Sequence, residues 1–294
     1  MNINPKKALF IGLTTIDIQY FVEHYPQANT KIKTDAPLIA VGGPAANAAI
    51  TYSVLGGQAD FLSCIGINSF TQVVRNDFAK YNVRVIDPYE AETTDPIVSA
   101  VITTLANSER TIITHHPLEL KANDQAPQID LLDYAFIFID GFYPELSLQL
   151  LPEAKMKHIP VIFDGGSWKK HLPQLLGFVD IAICSGNFHP PQCNTDDDTI
   201  SYLKSLGINE VAISKGEGCI VCEHSSIAVE PVDAIDSLGA GDVLHGAFCF
   251  YMAAADNFID ALSKASKVAS FSVQYRGTHA WIKHYNKIKN RESK

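Results

Sequence analysis

Four short apolar segments in the second half of the chain each end in glycine or polar residues. The segments cover residues 135–139, 160–163, 181–184 and 211–214, and the residues that follow them are Asp140-Gly141, Asp164-Gly165, Ser185-Gly186 and Lys215-Gly216. Short apolar runs that alternate with helix-length stretches are typical of strands buried in a parallel sheet. Ligands of such sheets bind beyond the carboxyl ends of the strands. The sequence therefore predicts a doubly wound, mostly parallel α/β fold flanked by helices, with a ligand cleft along that edge.

A second, smaller sheet is expected from the first half of the chain. Residues 18–39, 97–105 and 111–114 alternate in polarity or are rich in β-branched residues, which predicts two pairs of strands. Together they would form a lid over the mouth of the cleft, and a lid excludes water during group transfer. We therefore predict a single domain over residues 1–294, with a lid sheet from about 17–40 and 97–114 inserted in it.

Composition and charge narrow the functional classes. The chain has 294 residues and a formal net charge of -9, which argues against nucleic acid or an anionic membrane as a partner. No apolar segment approaches the ~20 residues that span a bilayer, and the first residues do not resemble a signal peptide. We expect a cytoplasmic protein. In that compartment its six cysteines are expected to be reduced structural thiols.

The strongest chemical signal is a small-residue loop that leads into an apolar helix. It reads Asp236-Ser237-Leu238-Gly239-Ala240-Gly241-Asp242. The small side chains of Gly239, Ala240 and Gly241 would let an anion approach the N–H groups of the helix end. Asp242 lies at the same turn, where the helix end favours its ionised, proton-accepting form. An anion hole beside a base suits phosphoryl transfer to an alcohol, although Asp is also common as a plain helix cap.

This loop resembles the C-terminal signature of the PfkB, or ribokinase-like, carbohydrate kinases, Asp-Thr-x-Gly-Ala-Gly-Asp, with Ser237 in place of Thr. Residues 42–66 resemble the N-terminal signature, including the Gly-Gly-x-x-x-Asn spacing from Gly42 to Asn47. The resemblance implies the ribokinase-like fold and an ATP-dependent kinase that phosphorylates a primary hydroxyl of a small carbohydrate. The segments around Asp17 and Asp236 look closest to ketohexokinase and fructokinase members, which favours a ketohexose acceptor.

The resemblance also implies roles for individual residues. Asp242 would be the catalytic base, with the anion hole at Gly239, Ala240 and Gly241. The expected sugar-binding residues are Asp17, Gly42, Gly43, Asn47 and Arg110. The expected nucleotide-binding residues are Asn187, Ser214, Lys215, Gly216, Gly218 and Gly277. Mg²⁺ on the ATP phosphates would lie near Asp164, and a monovalent cation such as K⁺ near Asp236. The family's Asn-x-x-Glu element has Pro190 in the Glu position, so its Mg²⁺ arrangement must differ here.

Several alternatives remain open on the sequence. Asp17 also fits a surface turn, and Arg110 also fits an exposed edge strand. A nucleoside kinase of the same family would keep the catalytic loop, and a non-catalytic sugar- or nucleotide-binding regulator would keep the fold. Exposed lid edges also predict a homodimer through the lid sheet. The chain has no P-loop and no Gly-x-Gly-x-x-Gly after its first strand, so P-loop ATPase and dinucleotide oxidoreductase functions lack their key loop.

Overall fold

The computed structural model describes residues 6–115 and 127–292, so the remaining parts of the predicted domain, 1–5, 116–126 and 293–294, lie outside the described residues. The strands are β1 (Lys7–Ile11), β2 (Thr15–Val22), β3 (Leu38–Gly42), β4 (Gln58–Leu62), β5 (Val83–Ile86), β6 (Val98–Thr104), β7 (Arg110–Thr114), β8 (Ile137–Ile139), β9 (Val161–Gly165), β10 (Ile181–Ser185), β11 (Glu210–Ser214), β12 (Ile220–Cys222) and β13 (Ser226–Ile227). The helices are α1 (Pro44–Leu55), α2 (Thr71–Lys80), α3 (Pro144–Met156), α4 (Pro173–Leu176), α5 (Asp196–Ser205), α6 (Ala240–Ala253), α7 (Phe258–Ser272) and α8 (Ala280–Glu292).

Nine of these strands form the main sheet, in the order β13-β12-β11-β10-β9-β8-β1-β4-β5. The seven strands from β11 to β5 run parallel, and β12 and β13 are antiparallel at one edge. Strand β1 pairs with β4 on one side and β8 on the other, so the chain order reverses beside it. The crevice at such a reversal is where doubly wound sheets bind ligands. The predicted doubly wound α/β fold is confirmed.

The lid is a separate four-stranded sheet in the order β3-β2-β6-β7. Strands β2 and β6 pair in parallel, while β3 and β7 pair antiparallel at the edges. The strands occupy less of the chain than the alternation predicted, because residues 23–37 form turns and irregular chain between β2 and β3. That stretch contains two prolines and is mostly exposed, so no ladder partner holds it as a strand.

Apolar side chains alternate between the two faces of the main sheet and fill two cores. On β1, Ala8 and Phe10 join one core, while Leu9 and Ile11 join the other. The period of two follows from strand geometry. Both faces are covered, which explains why these strands are apolar throughout. All six cysteines lie within the described residues and are free thiols.

Helices α1 and α6 pack unusually closely, and their contact brings the two signature segments together. A Cβ atom at Gly246 of α6 would lie 2.3 Å from the Ala48 carbonyl oxygen of α1. Only glycine permits that approach, because a real Cβ atom needs more than about 3 Å of clearance. The first turns of both helices therefore lie side by side at the carboxyl edge of the main sheet.

Candidate active site

Asp140, directly after β8, ties together the chain segments at the crevice. Its Oδ2 accepts hydrogen bonds from the Leu13 N–H at 2.9 Å and the Ala45 N–H at 3.2 Å, and its Oδ1 accepts the Phe142 N–H at 2.9 Å. Burial raises the pKa of Asp140 to about 6, although these three bonds act to lower it. The sequence pattern predicts only that Asp140 is the polar residue following a buried strand. Its Asp-Gly step after a buried strand was the available signal.

Asp242 lies in the first turn of α6, and its side chain is half-buried. The Asn47 side-chain amide donates to Asp242 Oδ2 at 2.7 Å. Burial raises the pKa of Asp242 well above its ordinary value, and the negative charge of Asp164 raises it further. The helix end alone predicts the opposite shift. Loss of water and the crowding of carboxylates outweigh both the helix end and the Asn47 bond.

Asp17 faces the same cleft from the lid rather than from a turn after β1. It lies in β2, and the Thr15 hydroxyl donates to its Oδ1 at 2.7 Å. Burial raises its pKa, and its charge contributes to the raised pKa of Asp242. A Cβ at Gly42 would lie 2.2 Å from Asp17 Oδ2, and a Cβ at Gly43 (φ 106°) would lie 2.1 Å from the Leu13 carbonyl oxygen. Both glycines make room for this carboxylate and its loop.

The turn that is expected to form the anion hole contains a left-handed glycine. Gly239 has a φ of 74°, and a Cβ there would lie 2.5 Å from Thr278 Cγ2. The Ala240 N–H donates to the Ser237 carbonyl at 3.3 Å, so this N–H already has a long internal bond. A Cβ at Gly241 would meet no atom within 4 Å. The space beside Gly241 is therefore the open side of the turn.

The loop before this turn is fastened to the lid through Asp236. Asp236 is buried, and its Oδ2 accepts the Gln19 amide at 2.7 Å and the Gly277 N–H at 2.8 Å. Its Oδ1 accepts the Leu238 N–H at 3.0 Å. Gln19 lies in β2 two residues after Asp17, on the same face of the lid. Sequence reasoning gave Gln19 no role, although a glutamine in an apolar strand was a signal for it.

Arg110 and Gly277 both lie at the junction of the lid with this loop. The Arg110 guanidinium, at the start of β7, donates to the Ser237 hydroxyl and is exposed. A Cβ at Gly277 (φ 88°) would lie 2.7 Å from Leu38 Cδ1 in β3. Arg110 therefore joins the lid rim to the anion-hole loop, and Gly277 lies between Asp236 and the lid. Their predicted parts in sugar and nucleotide binding stay predictions.

The other expected nucleotide residues meet at the ends of β10 and β11. Ser185 pairs with Ser214, whose hydroxyl donates to the Cys184 carbonyl at 3.3 Å. Lys215 forms an ion pair with Asp196 at the start of α5. The Gly218 N–H closes the turn on the Lys215 carbonyl at 3.0 Å, Gly216 has a φ of 59°, and Asn187 is exposed beside them. The register of β10 and β11 brings these residues to one open surface, three and four strands along the main sheet from β1.

Asp164, the residue expected near Mg²⁺, is buried at the end of β9. Its Oδ2 lies 3.6 Å from Nδ1 of His245, whose Nε2 donates to the Ile183 carbonyl at 3.0 Å. Burial raises the pKa of Asp164, and His245 acts in the opposite direction. Within residues 6–115 and 127–292, no cluster of three His, Cys, Asp or Glu side chains could hold a metal. A Mg²⁺ ion shared by one or two carboxylates and ATP phosphates needs no such cluster, so the donor set fits it.

The fold is a parallel sheet with a lid, and the site places an acid beside a glycine turn at a helix end. Together these features indicate a sugar- or nucleoside-phosphorylating kinase of the α/β class. The particular family follows from the sequence pattern described as "pfkB family carbohydrate kinase", which matches residues 5–284. The chain belongs to this family of ATP-dependent carbohydrate kinases. None of the helices in the described part of the chain is long and apolar enough to cross a membrane.

Relatives of known name agree on the family and differ in substrate. The chain is 24% identical to a ribokinase of Staphylococcus aureus (strain COL), over 94% of this chain and 96% of that protein. It is 23% identical to the ketohexokinase of Mus musculus, over 91% and 96% of the two chains. It is 22% identical to a nucleoside kinase of Methanocaldococcus jannaschii, over 98% and 97%.

Solved structures share the fold over nearly the whole chain. A putative ribokinase from Agrobacterium tumefaciens superposes with a TM-score of 0.85 at 18% identity, covering 99% of this chain and 100% of that one. The Arabidopsis thaliana ribokinase complexed with ribose and ATP gives a TM-score of 0.75 at 19% identity, covering 97% and 98%. These likenesses establish the ribokinase-like architecture of the chain.

Proposed function

We propose that this kinase transfers the γ-phosphoryl group of ATP to a primary hydroxyl of a small sugar, with Asp242 as the base. The observation that carries the proposal is the side chain of Asp242. It is half-buried, it follows Gly241, where a Cβ would meet no atom within 4 Å, and it lies near enough to Asp17 for that negative charge to raise its pKa. A carboxylate with a raised pKa accepts a proton from an alcohol more readily than an ordinary one does.

The sugar would lie beneath the lid, between Asp17 and the first turn of α1. Asp17 is an acceptor-only group when ionised, so it would receive hydrogen bonds from sugar hydroxyls. Any contact of Gly43 with the sugar would come from its backbone, because the Leu13 carbonyl oxygen occupies the place of a side chain. The Asn47 amide N–H donates to Asp242, and the Asn47 side-chain oxygen has a lone pair that would accept a hydrogen bond from a sugar hydroxyl. Closure of the lid would exclude water from the transfer.

The phosphoryl group would lie against the turn at Gly239–Gly241, with the helix end stabilising its developing charge. Because the Ala240 N–H is already used, Gly241 and Asp242 would supply the main free donors. ATP would extend to the surface formed by Asn187, Lys215 and Gly216. Mg²⁺, when bound to the phosphates near Asp164, supplies charge neutralisation.

The acceptor sugar is the least constrained part of the proposal. The sequence signatures favour a ketohexose, whereas the Staphylococcus aureus and Arabidopsis thaliana relatives are named ribokinase. We therefore place ribose and fructose first in a panel of sugars assayed by coupled ADP release. Release of ADP with a sugar that carries a free primary hydroxyl supports the proposal. No release with any sugar, together with thermal stabilisation by one of them, would instead favour a non-catalytic binding protein.

A nucleoside acceptor is the second candidate, because a nucleoside kinase is among the relatives. Adenosine in the same ADP-release assay separates the two acceptor classes. Turnover with adenosine and none with sugars would replace the sugar proposal. Either kinase would need ATP. A cytoplasmic location, in which the six free thiols would stay reduced, remains the expectation for both.

Any activation by K⁺ would act through the Asp236 loop. The Asp236 carboxylate already accepts three N–H groups, one of them from Gln19 of the lid. A cation at this carboxylate would therefore compete with Gln19. Comparing ADP release in potassium chloride and in tetramethylammonium chloride tests the idea, and equal rates would show that the loop needs no cation.

A homodimer through the lid is supported by the outer face of that sheet. Ile39, Ile18, Ala100 and Ile113 are direct neighbours across all four lid strands. Ile39 and Ile113 are 50% and 60% exposed, so the row forms an apolar stripe that a second copy would cover. Light scattering should give twice the chain mass, and Ile113→Lys should halve it. A wild-type mass of one chain would remove this part of the proposal.

A further inference from the structure

Three side chains from different parts of the chain form a continuous hydrogen-bonded row that ends at Asp242. His279, just before α8, has its Nε2 3.0 Å from the Asn47 Oδ1. The Asn47 Nδ2 then donates to Asp242 Oδ2 at 2.7 Å. His279 and Asn47 are separated by 232 residues in sequence, so nothing in either signature announces their contact.

When Asp242 is ionised, as a base must be before it takes a proton, chemistry fixes the direction of every bond in the row. An ionised carboxylate only accepts hydrogen bonds, so the amide nitrogen of Asn47 must face Asp242. The Asn47 oxygen then faces His279, and the imidazole must carry its proton on Nε2 to donate to it. Burial, together with the charge of Lys80, lowers the pKa of His279 to about 4, so the ring is neutral at physiological pH. A neutral ring with its proton on Nε2 is the form that this row requires.

The imidazole is itself held in place from another element. The Tyr81 ring, at the end of α2, meets it edge-on at 5.3 Å between centroids and an interplanar angle of 63°. The Lys80 ammonium lies over the Tyr81 ring, 4.9 Å from its centroid. The ring therefore has little freedom to turn away from Asn47.

We propose that His279 is a positioning residue for catalysis, which fixes the Asn47 amide so that it holds the Asp242 carboxylate toward the acceptor hydroxyl. This rests on the proposed function, in which Asp242 is the base. Without His279, the Asn47 amide is free to rotate, and a rotated amide presents its oxygen to the carboxylate. The base would then lose the one side-chain hydrogen bond that lowers its pKa, against the charges of Asp17, Asp140 and Asp164.

The first test compares His279→Ala with His279→Gln, which keeps an N–H donor. His279→Ala should lower kcat about 10-fold or more, as loss of an orienting partner commonly does, and leave the KM values for sugar and ATP within about twofold. The acid limb of its kcat/KM profile should move to higher pH, because the pKa of Asp242 rises. His279→Gln should recover most of both losses. An unmoved limb, or a Gln variant as impaired as the Ala variant, overturns the proposal.

A double-mutant cycle separates a role through Asn47 from a general effect on folding. If His279 acts through Asn47, then His279→Ala should change kcat less than about twofold in the Asn47→Ala background. The same loss of rate in both backgrounds overturns the proposal. Thermal unfolding of each variant identifies any that fail to fold, and if His279→Ala is one of them, His279→Leu, which has no donor, takes its place in the cycle.

A measurement on the unmutated protein needs no activity at all. In a long-range ¹H–¹⁵N spectrum of the imidazole groups, His279 should show the Nε2–H tautomer and stay neutral at pH 6. An Nδ1–H tautomer or a charged ring at that pH overturns the positioning role, whatever the enzyme does. If the wild-type protein releases no ADP with any acceptor but His279 has the expected tautomer, the proposed function fails and the hydrogen-bonded row stands.

Discussion

The proposed sugar end and the proposed nucleotide end of the cleft are built in different ways. At the sugar end, Asp140 and Asp164 are buried, and Asp17 and Asp242 are half-buried. Glycines stand where a Cβ would collide with these carboxylates or their loops. At the nucleotide end, Gly216 has nothing within 4 Å of its Cβ position, and Asn187 is exposed. The carboxylates of the proposed sugar end are thus held in place by the protein's own contacts, while the proposed nucleotide end is an open surface.

This difference suggests where the molecule places its chemistry. Buried acids close to one another disfavour their own ionisation, so the sugar end holds groups with raised pKa values that suit proton transfer. If the turn at Lys215–Gly218 binds ATP as proposed, it would do so by shape and by surface charge that salt screens. Substitutions at the sugar end should therefore have large, specific effects, and substitutions at the nucleotide end small ones.

The largest effect is expected from Asp242→Asn, which removes the base but keeps the shape of the side chain. We expect kcat to fall by a factor on the order of 10² or more, with the affinity for ATP nearly unchanged, because the proposal gives this carboxylate a role in proton transfer and none in ATP binding. Steady-state kinetics and calorimetric ATP titration measure the two quantities. Asp260→Asn is a matched control, since Asp260 is also a first-turn acid, but of the exposed start of α7. A rate near wild type in Asp242→Asn would reject the base.

The next effect concerns stability and pH at Asp140. Its pKa in the folded protein is about 6, above the ordinary 3.8, so as the pH falls the folded protein binds a proton at Asp140 before the unfolded chain does. The stability tied to this proton is present below about pH 4 and is lost as pH rises through about 6, on the order of 3 kcal/mol in total. In Asp140→Asn this part of the pH dependence should be absent. Denaturant unfolding at pH 5 and pH 8 measures it, and parallel pH curves for the two proteins would contradict the shift.

A matched pair of glycine substitutions compares the two ends directly. In Gly42→Ala the new Cβ would lie 2.2 Å from the Asp17 carboxylate and must displace it. Overpacking of this kind costs about 1–3 kcal/mol, so the sugar KM should rise about 10- to 100-fold with the ATP KM unchanged. In Gly186→Ala the nearest atom would be the Ser214 carbonyl at 3.6 Å, an ordinary contact. Equal effects of the two variants on sugar binding would remove the distinction between the ends.

The parts of this site that lie close together in sequence could be predicted, and the long-range contacts could not. Asp242 and its glycine turn occupy one short loop, and the carboxyl edge of the sheet follows from apolar runs that end in glycine. The Gln19–Asp236 contact spans 217 residues, and a single hydrogen bond of that kind leaves no periodic pattern. The direction of the Asp242 pKa shift also depends on burial among carboxylates from separate strands. Alternation over residues 18–39 predicts longer strands than β2 and β3, because no neighbouring strand completes a ladder along residues 23–37.

The smallest effect is expected from Lys215→Met at the nucleotide end. Lys215 is partly exposed and already paired with Asp196, so its attraction for ATP phosphates is screened by solvent and by that partner. We expect the ATP KM to rise at most about threefold and the sugar KM to stay the same, with Lys170→Met as an exposed control. The small increase should also disappear at high salt, because only screened charge is involved. A rise of more than about tenfold would mean that Lys215 is held in place as firmly as Asp17. The nucleotide end would then be a preassembled site, and the contrast between the two ends would rest on burial alone.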